Sequence, residues 1–141
     1  MNNFNPKLWG KSSWDFLFYS GLAYPDNPTK EDKENMEKFL LYMGNILPCR
    51  KCRFNFKNHL VKYPINNNVL SCRYNLINWM INIYNEICKI NNNNKLMCYN
   101  DVIERYMNNR NNNYINNKLL FSVITIFIIF SLILLIRLSK K

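Results

Sequence analysis

Residues 70–89, LSCRYNLINWMINIYNEICK, form the longest periodic segment of the chain, with apolar side chains returning at helical intervals. Toward the N-terminus, Tyr63-Pro64 and the Asn run at 66–68 break the pattern. Ahead of that break, Pro48 stands where a proline suits the first turn of a helix, which runs to about Leu60. Met36, Phe39, Leu40, Met43 and Leu47 recur at spacings of three and four and define an earlier helix. Thr29 is its candidate N-cap, and Glu31, Asp32 and Glu34 fill the first turn, where helix partial charge favours acids. Trp14, Leu17, Phe18, Gly21 and Leu22 make one more stripe over about 11–24, stopped by Pro25. Beyond the opening segment, a short helix is expected over about 100–107. Strand-like alternation and hairpin dipeptides are absent. The predicted fold is all-α: a small antiparallel four-helix bundle plus a short fifth helix. A bundle of this size is short of core, and aromatic residues at 15% of the chain suit either packing or the walls of a flat cofactor site.

The last stretch belongs to no such core. Residues 119–136, LLFSVITIFIIFSLILLI, carry no charge between Lys118 and Arg137, near the lower limit of about 17–25 residues for a helix that crosses a bilayer. A C-terminal transmembrane helix is therefore expected, followed by a basic tail at 137–141 and preceded by an Asn-rich tether at 108–118. Residues 1–11 are polar and hold no apolar run, so no secretory leader is expected. This layout predicts a single-pass, tail-anchored protein whose domain, residues 1–107, faces the cytosol. The formal charge of +10 is not a nucleic-acid signature once divided: residues 110–141 hold five basic residues and no acid, while 1–109 hold fourteen basic against nine acidic. Basic residues beside a membrane span favour anionic headgroups. The 27 Asn against one Ala point to an AT-rich genome.

Five cysteines occur, and only Cys49 and Cys52 are close in sequence. At i, i+3 on a helix both thiols face one side, within reach of a disulfide. Cys49 is placed in the first turn of its helix, where unpaired N–H groups stabilise a thiolate, and Arg50, Lys51 and Arg53 add positive charge. That environment suits thiol–disulfide exchange. Zinc ligation is the competing reading, but Cys72, Cys88 and Cys98 are scattered and His59, at no recognised ligand spacing, is expected on the helix surface. A thioredoxin-like site would need a strand-helix-strand setting that is absent, and two inert reduced thiols would suit a cytosolic protein. Spacing and charge leave redox chemistry, as in a flavin-free disulfide carrier on a membrane, zinc ligation, as in a zinc-supported interaction module, and inert thiols all open.

Three motifs in order narrow this choice. WGKSSWDFL at 9–17, the Pro-Cys-x-x-Cys-Arg-x-x-Phe at 48–56, and Asn82-x-x-Asn85-x-x-x-Lys89 together resemble the Erv/ALR family of FAD-linked sulfhydryl oxidases. The chain looks most like the short members found in large cytoplasmic DNA viruses, over about residues 5–107. The resemblance implies a helical bundle holding FAD, with Cys49 exchanging with an incoming protein dithiol and Cys52 nearer the flavin, which hands electrons to molecular oxygen as hydrogen peroxide. It implies that Lys11 and Lys89 meet the FAD phosphates, that Trp14 and Trp79 pack about the flavin or adenine, and that Asn82 and Asn85 hydrogen-bond the nucleotide. Phe18 stands where many members have a FAD-contacting His, and Ile81 replaces another His. A metal has no part in this scheme.

The other cysteines depart from the family pattern. Cys98 matches one partner of a structural disulfide common among members, but Asn78 stands at the other position. Cys72 and Cys88, if both lie on one straight helix, are separated by about 24 Å at about 1.5 Å per residue and cannot pair. No cysteine occurs in 1–48 or 99–141 to act as a shuttle, so a separate small dithiol carrier is expected as partner. Family likeness also implies a homodimer, and a host-cell or virion membrane if the source is viral.

Overall fold

The computed structural model describes residues 2–92, 95–108 and 119–129. Up to residue 103 the described residues form five α-helices, α1 (Pro6–Ala23), α2 (Lys30–Ile46), α3 (Arg50–Lys62), α4 (Arg73–Ile90) and α5 (Tyr99–Ile103). A 3-10 turn at Val69–Ser71 precedes α4, and a π-helical turn at Glu104–Asn108 follows α5. No strand occurs among the described residues. The chain divides into two compact units, Met1–Val102 and Ile103–Lys141.

In the first unit, α1 begins well before the apolar stripe seen in the sequence. Asn5 caps it, its side chain accepting from Lys7 N at 3.0 Å, and Pro6 occupies the first turn. Residues 6–8 are exposed, so no apolar period marks this start. At the far end Tyr24 turns extended ahead of Pro25. Its hydroxyl donates to the Leu70 carbonyl at 3.0 Å, and its own carbonyl accepts from Arg73 Nε at 2.7 Å. Arg73 also pairs with Asp26 at 3.1 Å, so the α1–α2 connection is pinned to the start of α4. Thr29 and Asp32 form a reciprocal capping box on α2.

α4 is the most buried helix. Leu76, Ile77, Met80 and Ile83 are closed off from solvent with Phe18 of α1 and Leu40 of α2. α1 comes close at Gly21, where a Cβ would lie 2.8 Å from Ile77 Cδ1 and 2.9 Å from Met80 Sδ. Gly44 does the same for α2 and α3: a Cβ there would fall on the Phe56 ring. Arg53 donates to the Leu47 carbonyl, which closes the corner between α2 and α3.

In the second unit, residues 119–129 are helical and exposed throughout. The rest of the expected span, 130–136, lies outside the described residues, as do 109–118 of the tether and the tail at 137–141. Among the described residues no helix is long and apolar enough to cross a membrane.

Candidate active site

α3 opens on the cysteine pair. Cys49 is its N-cap rather than a first-turn residue, because Pro48 lies before the helix and not within it. The Cys49 sulfur accepts from Cys52 N at 3.1 Å. The two residues form a disulfide with Cα atoms 5.1 Å apart, so they cannot serve as thiolate ligands to zinc in this state. The segment ahead of α1 supplies a second cap: Asn3 Oδ1 accepts from Arg50 N at 2.9 Å, and Phe4 N donates to the Pro48 carbonyl at 2.8 Å. Cys49 is consequently buried, at 6% exposure, while Cys52 is half-buried. Of the three cations beside the pair, Arg50 and Lys51 are exposed, and Arg53 is engaged at the end of α2.

The pair sits on the wall of a cavity of about 620 Å³, within the range of about 300–1,000 Å³ usual for small-molecule and cofactor sites. α1 contributes Trp9, Ser13, Trp14 and Leu17; α2 and its cap contribute Met43 and Leu47. One face of α3 provides Cys52, Asn55, Phe56 and His59, and the end of α4 provides Ile87, Ile90 and Asn91. Trp14 is braced from behind: the Phe18 ring lies 5.7 Å away and the Tyr84 ring meets it edge-on at 5.1 Å. Apolar and aromatic walls, with polar groups such as Lys7, Ser13, Asn55 and His59 among them, suit a large flat group with polar edges beside the disulfide.

Among the polar residues of this lining, His59 is the buried one. The sequence placed it on the helix surface, but it is 7% exposed. Its Nε2 is buried without a hydrogen-bond partner. Burial pushes its pKa below the usual imidazole value, against the upward pull of the Glu86 carboxylate, with Lys62 adding to the fall. Lys62 and Glu86 themselves form a 2.7 Å ion pair joining α3 to α4. The signal that could have found His59 is its spacing. It lies seven residues after Cys52, two turns along the same face.

The residues singled out from sequence fall into separate places. Cys49, Cys52 and Trp14 share the cavity. Phe18 is fully buried behind Trp14 and does not line it. Trp79 and Asn82 line a different, shallower recess, where Trp79 Nε1 donates to the Tyr63 carbonyl at 2.9 Å. Asn85 holds the segment before α5: its Nδ2 donates to the Met97 carbonyl and its Oδ1 accepts from Met97 N, both at 2.8 Å. Lys11 is exposed and paired with Asp15 at 2.7 Å, and Lys89 is paired with Glu86 at 3.7 Å. Cys72, Cys88 and Cys98 are free thiols, with Cys72 at the N-cap position of α4 but making no side-chain cap, and Cys88 buried in its last turn.

A redox disulfide opening onto an aromatic-walled cavity inside an all-helical fold defines a thiol oxidoreductase with a flat cofactor. Comparison with known proteins makes this specific. The model of the Erv1 / Alr family matches residues 11–108. The probable FAD-linked sulfhydryl oxidase R368 of Acanthamoeba polyphaga mimivirus is 41% identical over 100 residues, which cover 71% of this chain and 69% of that protein. The FAD-linked sulfhydryl oxidase ERV2 of Saccharomyces cerevisiae is 32% identical over 78 residues, 55% of this chain but only 38% of the yeast protein. The crystal structure of the FAD binding domain of yeast Erv1 superposes with a TM-score of 0.67 at 25% identity, covering 75% of this chain and 97% of that one. The chain belongs to the Erv1 / Alr family of FAD-linked sulfhydryl oxidases.

Proposed function

We propose that this chain forms disulfides in a protein dithiol substrate and uses molecular oxygen as acceptor, releasing hydrogen peroxide. The observation that carries the reading is the Cys49–Cys52 disulfide set in the wall of the aromatic cavity. A substrate thiolate attacks the Cys49 sulfur, the Cys49–Cys52 bond breaks, and Cys52 leaves as thiolate. A second substrate thiol, deprotonated, then displaces Cys49, leaving the substrate oxidised and the pair reduced. The N-terminus of α3 favours both thiolates through its partial positive charge, and Cys52 N donates to the Cys49 sulfur directly. FAD, when bound, accepts the two electrons of the dithiol and delivers them to oxygen. Trp14, Trp9 and Phe56, which line the cavity with the cysteine pair, would hold the flavin and keep water from it.

The remaining assignments follow family likeness. Lys11 and Lys89 meet the phosphates, and Trp79, Asn82 and Asn85 extend the nucleotide site, with Phe18 and Ile81 leaving its flavin end apolar. An antiparallel bundle suits the short connections between the long helices. A transmembrane helix over 119–136 fixes the domain to a membrane, facing the cytosol, on the strength of its uncharged run. A small separate dithiol protein serves as carrier, and the oxidase acts as a homodimer.

The full-length chain, purified in detergent, is the test. It should be yellow with FAD and consume oxygen when given dithiothreitol. Cys52→Ser should abolish oxygen-dependent turnover. Turnover retained in that variant would move the chemistry to Cys72, Cys88 or Cys98, and a colourless wild-type protein would end the enzyme assignment.

A further inference from the structure

A polar atom buried without a partner is rare in folded proteins, and leaving one unmet costs about 1–3 kcal/mol. His59 Nε2 is such an atom, on a side chain more than nine-tenths buried, and the residue lines the same cavity as the disulfide. Glu86, the carboxylate whose charge it feels, pairs instead with Lys62 and Lys89. The cavity is the direction in which a partner can be supplied.

The geometry fixes what that partner is. Electrons leave Cys52, so the accepting ring must lie against the face of α3 that carries it. Seven residues separate Cys52 from His59, a rise of about 10 Å on that same face. Asn55 and Phe56 lie between them on the cavity wall. A fused tricyclic ring lying along this face, with its ribityl chain leaving one side, spans a comparable length. His59 would then stand where the ring system ends or its ribityl chain begins.

We propose that His59 is a cofactor-contacting residue whose Nε2 hydrogen-bonds a polar atom of the isoalloxazine–ribityl half of FAD. A neutral imidazole can donate or accept through this nitrogen, so it can meet a ring nitrogen, a carbonyl or a ribityl hydroxyl. The contact sets where the ring stops along α3, and hence its register against Cys52.

The inference rests on FAD being the bound group, and the experiment separates the two. Full-length wild type, His59→Leu and His59→Gln are stripped of flavin and titrated with FAD, reading the dissociation constant and the visible spectrum of the bound flavin. Melting of the FAD-free proteins is measured in parallel. His59→Leu should weaken FAD binding about tenfold and shift the bound flavin's visible bands, with its FAD-free melting no lower than wild type. His59→Gln, which restores a polar group, should recover at least half of the lost affinity on a logarithmic scale. Wild-type affinity with unchanged bands in His59→Leu would overturn the proposal, leaving solvent as the partner of Nε2. Weakened affinity that His59→Gln does not recover would also overturn it, since the loss would then be one of packing and not of a hydrogen bond; recovery with unchanged bands would place the contact on the ribityl chain. Failure of the wild type to bind FAD would instead defeat the functional reading.

Discussion

Gly21 and Gly44 each give up a side chain so that a neighbouring helix can come close, yet they serve different parts of the molecule. At Gly21 the space is taken by Ile77 and Met80, both closed off from solvent at the seam of α1 and α4. At Gly44 it is taken by Phe56, whose other side faces the cavity. The seam is filled solid. The corner between α2 and α3 is packed on one side and hollow on the other. Small helical domains have little core to lose, and here the load is carried by α4 while the cavity is assembled at its end from α1, α2 and α3. Stability and cofactor binding should therefore respond to different substitutions.

The largest effect belongs to the seam. Ile77→Ala removes a fully buried side chain and should cost about 2–5 kcal/mol, as large-to-small core changes do. Urea unfolding of the FAD-free protein measures it, and an unchanged midpoint would show that the seam is not the stabilising region.

The paired glycines sharpen the contrast. Gly21→Ala and Gly44→Ala both overfill a tight contact and should each cost about 1–3 kcal/mol. Only Gly44→Ala pushes a ring toward the site, so it should also lower FAD affinity, by about tenfold. Gly21→Ala should bind FAD as wild type does below its melting temperature. Equal losses of affinity in the two variants would break the division between seam and corner.

How far the sequence revealed this arrangement depended on the range of the signal. The Thr29 capping box was legible because all its parts lie within four residues. The Cys49–Cys52 pair was legible for the same reason. The start of α1 was not, because its exposed first turn carries no apolar period, although Asn5-Pro6 holds the capping signal. Pro48 suggested a helix start just too early, and Cys49 proved to be the cap. Asn85 is the instructive case at long range. Its motif spacing marked it for a nucleotide, and its amide also closes two hydrogen bonds to Met97, twelve residues on, which no local pattern announces. His59 was set on the helix surface because it matched no ligand spacing, and its seven-residue step from Cys52 points to the cavity only once that face of α3 is known to line one. Its importance comes from α1, α2 and α4 folding over it.

That burial has a consequence at the smallest scale, in the pH dependence of the FAD-free protein. A histidine whose pKa is lowered by folding binds fewer protons folded than unfolded, so it contributes stability above its unfolded value of about 6.5 that is lost as the pH falls through the lowered folded value. Asp32 and Glu86 are also lowered, by the Thr29 and Lys62 hydrogen bonds respectively. Their contributions are present above about pH 4.5 and are lost only as the pH falls further. Between about pH 7 and 5 the titration of His59 should therefore dominate the loss of stability. Thermal melts across this window should fall with pH in the wild type and run flatter in His59→Gln. Glu86 tempers the effect by favouring the imidazolium, so removing its charge with Glu86→Gln should steepen the wild-type fall and leave the His59→Gln slope unchanged. Parallel slopes in all four proteins would mean that the imidazole reaches solvent, and the cavity would lose its only buried titrating side chain among the described residues.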